Sequence, residues 1–179
     1  MAAPFQGTKN GNWTVYYPNG SIKTLGYITD SSFIGKWYFY YKNGNRSAKG
    51  KFKHTIDDND SSILVLKMSG KWKFWNESGK LINKSSYSPL RHFTKSKYGK
   101  EQERYPSGKL KSKGEYHIGS KIGTWRHYYE NGEKKNIAYY QYKSEIDYPV
   151  GIWMYWNEKG VLVKKETYKD GQLIGTVTY

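Results

Sequence analysis

A glycine followed two residues later by tryptophan recurs along this 179-residue chain, and its spacing constrains the fold more than any other feature. The anchor glycines are Gly11, Gly35, Gly70, Gly99, Gly123, Gly151 and Gly175, at intervals of 24, 35, 29, 24, 28 and 24 residues. The base unit is therefore 24 residues, and three units carry insertions. At plus two stand Trp13, Trp37, Trp72, Trp125 and Trp153, with Glu101 in the fourth unit and Val177 in the last. At plus five stand Tyr16, Tyr40, Trp75, Tyr128 and Trp156, with Arg104 as the exception. Plus nine is glycine in all six complete units: Gly20, Gly44, Gly79, Gly108, Gly132 and Gly160. Plus seventeen is Ile28, Phe52, Tyr87, Tyr116, Tyr140 and Tyr168. Self-similarity at such a period marks an array in which each unit is one supersecondary element.

Each unit reads as a β-hairpin. Gly-x-Trp-x-x-Tyr-Tyr is a short aromatic strand, and Pro18-Asn19-Gly20, Lys42-Asn43-Gly44 and Glu130-Asn131-Gly132 supply an Asn-Gly step of the kind found in tight hairpin turns. A second strand then closes on a small residue and an aromatic, as in Gly50-Lys51-Phe52 and Gly114-Glu115-Tyr116. Most of the apolar surface is aromatic: 19 Tyr, 7 Trp and 6 Phe. Large flat side chains suit a thin sheet that has no thick interior. The expected fold is all-β: an elongated antiparallel meander of tandem hairpins in a single-layer twisted sheet. Residues 7–179 form the array, six hairpins and a terminal half-repeat, after a lead-in of residues 1–6. Insertions fall between hairpins, around His54–Leu66, Ser88–Lys97 and Lys143–Pro149; the first holds the acidic run Asp57-Asp58-Asn59-Asp60, which lacks the EF-hand pattern and reads as a solvated turn.

No catalytic or cofactor signature stands out. The chain has no cysteine, so disulfides and thiolate metal sites are excluded. His54, His92, His117 and His127 make no recognised metal-ligand spacing, and there is no nucleophile elbow, P-loop or dinucleotide fingerprint. The sequence therefore points away from an enzyme and away from any cofactor or metal. Its longest apolar run, Ile63-Leu64-Val65-Leu66, is too short for a membrane-spanning helix. Residues Met1–Phe5 do not resemble a signal peptide, so the default expectation is a cytoplasmic protein, or an exported one whose signal has been removed.

Charge is the remaining signal. Thirty Lys and Arg against 15 Asp and Glu give +15, which favours acidic partners. Lys49, Lys51 and Lys53 alternate along one strand, as do Lys109, Lys111 and Lys113, and each trio is expected to share a face. At plus fourteen Lys49, Lys84, Lys113 and Lys165 recur, which predicts a basic stripe if units stack in register. The competing reading is that these lysines only keep an exposed sheet soluble. By parity the plus-five aromatics Tyr16, Tyr40, Trp75, Tyr128 and Trp156 lie opposite the tryptophans, and they are the candidates for a partly exposed aromatic stripe.

The Gly-x-Trp-x-x-Tyr-Tyr-x-Asn-Gly core and the link Gly119-Ser120-Lys121-Ile122-Gly123-Thr124-Trp125 resemble the MORN-repeat variant of bacterial proteins, including the YwqK-like antitoxin and immunity family. The resemblance implies an extended antiparallel sheet, no catalytic residues and a partner protein such as a toxin or effector. Related MORN repeats imply a scaffold with affinity for anionic phospholipid. Nucleic acid ranks below lipid on this reading, because the aromatics interleave regularly, and the terminal strand from Gly175 is a candidate for self-association. The fourth unit departs most from the pattern, with Glu101, Glu103 and Arg104.

Overall fold

The computed structural model describes residues 10–29, 32–56, 64–88, 97–143 and 146–179. They form thirteen strands and, among the described residues, no helix. In chain order these are β1 (Gly11–Tyr16), β2 (Ile22–Thr29), β3 (Ser32–Tyr40), β4 (Arg46–Ile56), β5 (Leu64–Trp75), β6 (Leu81–Tyr87) and β7 (Gly99–Arg104). They continue as β8 (Leu110–His117), β9 (Ser120–Tyr128), β10 (Lys134–Lys143), β11 (Ile146–Trp156), β12 (Leu162–Lys169) and β13 (Gln172–Thr178). All thirteen join one sheet in sequence order, each antiparallel to the next. At ~4.8 Å per strand the sheet is about 60 Å across. The expected meander of hairpins is what forms.

The turn glycine adopts φ of 82° at Gly20 and 84° at Gly44, and its N–H donates to the carbonyl three residues back, as in Gly44 to Tyr41 at 3.0 Å. The turns are thus longer than a two-residue Asn-Gly loop, and only the glycine is left-handed; the asparagine is not. Asn43 instead caps its own turn, with Oδ1 accepting from the Asn45 N–H, while its Nδ2 donates to the Glu77 carbonyl of the next turn at 2.8 Å. Asn131 repeats this bond to the Glu158 carbonyl. A tyrosine ties the same neighbours together: Tyr41 Oη donates to the Trp75 carbonyl, and Tyr105 and Tyr129 do likewise to Tyr128 and Trp156. Consecutive hairpins are therefore stapled along the turn edge, which a lone marginal hairpin needs.

The tryptophans supply the core. Trp37, Trp72 and Trp125 are 3%, 2% and 2% exposed, although the sheet has only one layer. Each lies flat on the small residue of the preceding hairpin. A Cβ added at Gly50 would meet the Trp72 ring at 2.0 Å, and one at Gly114 the Trp125 ring at 2.2 Å. Indole Nε1 then donates to the carbonyl just beyond, Lys51 for Trp72 and Glu115 for Trp125, both at 3.1 Å. The plus-seventeen ring closes over the edge, with Phe52 5.0 Å from Trp72 and Tyr116 4.9 Å from Trp125, near perpendicular. Side chains at plus two, four and seventeen thus form one tryptophan face.

Among the described residues, the first insertion lengthens existing strands. Strands β4 and β5 reach 11 and 12 residues by extending into the first insertion. The acidic run Asp57–Asp60 and most of the second insertion lie outside the described residues.

Candidate functional site

The face opposite the tryptophans carries the charge. Strand register threads one continuous row of directly opposed residues across it. From β3 to β9 the row runs Tyr38, Lys49, Lys73, Lys84, Gln102, Lys113 and Arg126. It continues through Ile137 and Met154 to Lys165. The four plus-fourteen lysines therefore share a single row, as stacking in register requires. Two of its members, Lys73 and Arg126, are at plus three and escaped the sequence reading. The pairing rule of the hairpin, plus three opposite plus fourteen, was the signal that would have found them.

Lys73 sits between Lys49 and Lys84, and Lys36 faces Lys51. Like charges directly opposed destabilise a sheet by roughly 0.2–1 kcal/mol per pair. None of these lysines has a carboxylate partner among the described residues; the ion pairs present involve Lys97, Lys111, Lys121 and Lys164. Lys36, Lys71 and Lys100, at plus one of three successive units, flank the row and are exposed. Lys51 and Lys53 lie on this face beside the row, and Lys53 faces Lys67.

The second trio departs from expectation. Lys109 lies in the turn before β8, and Lys111 is the extra residue of a bulge, because Glu103 pairs with Ser112 and Arg104 with Leu110. The bulge lets Lys111 reach Glu103 at 2.8 Å on the tryptophan side. Of the three, Lys113 alone joins the row, and the strict alternation assumed from sequence fails at the bulge.

The plus-five aromatics run parallel to the row, two residues along each strand. Tyr16 is 59% exposed; Tyr40, Trp75, Tyr128 and Trp156 are half-buried. Cations cover several of these rings: Arg46 lies 5.6 Å from Trp75, Lys113 5.9 Å from Tyr128 and Lys134 5.7 Å from Trp156. Contacts of this kind hold cations over aromatic faces.

On the tryptophan face the fourth unit interrupts the aromatic ladder. Glu101 takes the tryptophan's place and is 5% exposed. Lys97 Nζ and Asn83 Nδ2 both donate to its Oε1, at 2.9 and 2.8 Å, and Ser85 bonds Asn83 behind it. Pairing between β6 and β7 shrinks to Asn83 with Glu103 and Lys84 with Gln102, so the sheet continues here on a polar joint. His127, opposite Ser112, lies parallel to Trp125 at 6.2 Å, as Phe74 does to Trp72 at 5.9 Å. Burial, then the Lys121 charge, hold its imidazole below the usual histidine range. The folded state thus resists a proton that the unfolded chain accepts, so this contribution to stability is present above about pH 6.5 and is lost as pH falls. His127→Phe, which keeps the ring stack, is expected to flatten the fall in urea midpoint between about pH 7 and about pH 5.5.

The family model for the MORN repeat variant matches six segments, residues 9–28, 34–54, 68–88, 97–117, 121–142 and 149–170. The chain belongs to the MORN repeat variant family. Each matched segment corresponds to one hairpin of the sheet, and the departures at Glu101 and Arg104 fall inside the fourth MORN repeat. No curated protein matches this MORN-repeat chain. Among the described residues no group of His, Asp and Glu is arranged to hold a metal ion, and no helix is long and apolar enough to cross a membrane.

Proposed function

We propose that this MORN-repeat protein is a non-catalytic binding module that takes a polyanionic partner on its lysine face. One observation carries the reading: Lys49, Lys73, Lys84, Lys113 and Arg126 stand in one row over six adjacent strands, none with a carboxylate partner among the described residues. Uncompensated cations opposed across strands cost stability, and a polyanion is what would offset that cost. Anionic phospholipid headgroups and linear polyanions both have this chemistry.

The experiment is retention of the full chain on phosphatidylserine-containing vesicles and on inorganic polyphosphate as salt is raised. Strong retention at low salt that falls away at high salt is expected, because exposed charges are screened within ~10 Å at 0.1 M. Salt-insensitive retention, or none on either probe, sinks the proposal.

A second reading, an antitoxin- or immunity-like protein that covers a partner protein, has its own supporting observation. Ile152 on β11 and Leu173, Ile174 and Val177 on β13 are exposed, as is Val161 just before β12. Exposed apolar side chains gathered at one end of the sheet suit a protein contact. Recovery of a specific protein by pulldown that survives high salt, and is lost on Ile174→Glu, would favour it.

A further inference from the structure

The lysine face is not flat. Three shallow depressions lie on it in series between β3 and β9. The first is bordered by Lys36, Tyr38, Lys49 and Lys71; the second by Lys71, Lys73, Lys84 and Lys100; the third by Lys100, Gln102, Lys113 and Arg126, with one carboxylate, Glu115, directly opposite Lys100 at its rim. The first two share Lys71, and the last two share Lys100 and Gln102, so they follow one another as an interrupted trough across the strands. Its floor is the backbone at the small positions Gly50, Ser85 and Gly114; at the two glycines the tryptophan on the far side leaves no room for a Cβ. Five strand-to-strand steps at ~4.8 Å make the row of cations about 24 Å long.

Resting on the reading of this face as the polyanion site, we infer that its ligand is an extended phosphodiester chain, single-stranded nucleic acid. Two arguments favour a chain over a planar membrane. Adjacent strands rotate by roughly 20–25°, so five steps turn the row through about 100–125°. A planar headgroup layer then meets only part of the row, whereas a flexible strand follows all of it. The second argument is the shelf beside the row. Trp75 and Tyr128 stand two residues beyond Lys73 and Arg126 on the same strands, ~7 Å away, and Tyr40 stands likewise beyond Tyr38, the row's member on β3. In the fourth unit the shelf carries Arg104, whose planar guanidinium also stacks on bases. A basic track with a parallel line of aromatic faces is how single strands are bound without sequence preference. Lys113, already 5.9 Å from the Tyr128 ring, shows that phosphate and base of one nucleotide are within reach together. This ordering reverses the sequence-based one, which saw the aromatics as interleaved and could not place them beside the lysines.

The test is fluorescence anisotropy of the full chain with labelled oligothymidylate, the corresponding duplex, and phosphatidylserine vesicles at one salt concentration. The single strand is expected to bind about tenfold more tightly than the duplex. Trp75→Ala is expected to weaken oligothymidylate binding by about tenfold, in line with the loss of one stacked base, while Trp75→Phe restores it and vesicle binding is unchanged. Circular dichroism verifies that each variant is folded, and Tyr128→Ala serves in place of Trp75→Ala if that variant is not. Vesicle or polyphosphate binding without single-strand binding overturns this inference and leaves the polyanion reading standing. A single-strand affinity that ignores both aromatic substitutions also overturns it. Absence of binding to every anionic probe overturns both.

Discussion

Replacing Trp72 with alanine is expected to lower the unfolding free energy by about 3–5 kcal/mol, the range for removing a large buried aromatic. The ring is 2% exposed, stacks between Phe39 at 6.1 Å and Phe74 at 5.9 Å, and meets Phe52 edge-on. It also covers the Gly50 backbone and bonds the Lys51 carbonyl, so its loss removes the side-chain packing between the hairpin of β3 and β4 and that of β5 and β6, leaving the backbone ladder and the turn-edge staples. A one-layer sheet has no second layer to settle into the gap. In an array where each unit depends on its neighbours, that coupling is most of what holds the unit folded. Gly50→Val should reach a similar loss from the other side, because its first carbon would sit inside the indole. Trp156→Ala, on the half-buried opposite face, should cost clearly less. Urea unfolding followed by circular dichroism ranks the three, and a Trp72 variant as stable as the Trp156 variant would mean the faces are misassigned.

The second large effect combines a gain and a loss. The double substitution Lys73→Glu with Lys113→Glu gives the row alternating signs: Lys49 and Lys84 then flank a carboxylate, and Arg126 opposes another. Three repulsive neighbours become attractive, each worth roughly 0.2–1 kcal/mol, so the variant is expected to be more stable than the parent. Binding moves the opposite way. The five cations of the row fall from a charge of +5 to +1, since two lysines are each reversed. At about 1 kcal/mol per unit charge near an anionic surface, affinity should drop on the order of 1000-fold. A structural role for these lysines predicts the reverse pattern, lower stability with binding unchanged. Such a trade would mark a site kept for function at the expense of the fold.

Much of this architecture is legible in the amino-acid sequence because the signal repeats. A Trp at plus two, a small residue at plus fifteen and a ring at plus seventeen describe one packing contact, repeated along the array. Local turn chemistry is also readable from Asn43-Gly44 and its equivalents, although the loop proved longer than the Asn-Gly pair alone suggests. What the sequence hid was cross-strand register. Lys73 and Arg126 look like isolated basic residues until the pairing of plus three with plus fourteen sets them beside Lys84 and Lys113. The bulge had the opposite effect: Lys109, Lys111 and Lys113 look equivalent by alternation, and one extra residue sends Lys111 to Glu103. The fourth repeat was visible as a departure, but its physical sense needed coordinates. Glu101 survives burial because Lys97, from the segment ahead of β7, arrives with Asn83 to hold it.

The most direct measurement is the slope of log affinity against log salt for inorganic polyphosphate, compared between the parent chain and Lys73→Gln. If the row contacts the polyanion, removing this one of its cations makes the slope shallower by about 1 while the protein remains folded. Two slopes that coincide would mean that Lys73 touches no anion, and the lysine row would be only a solvated surface.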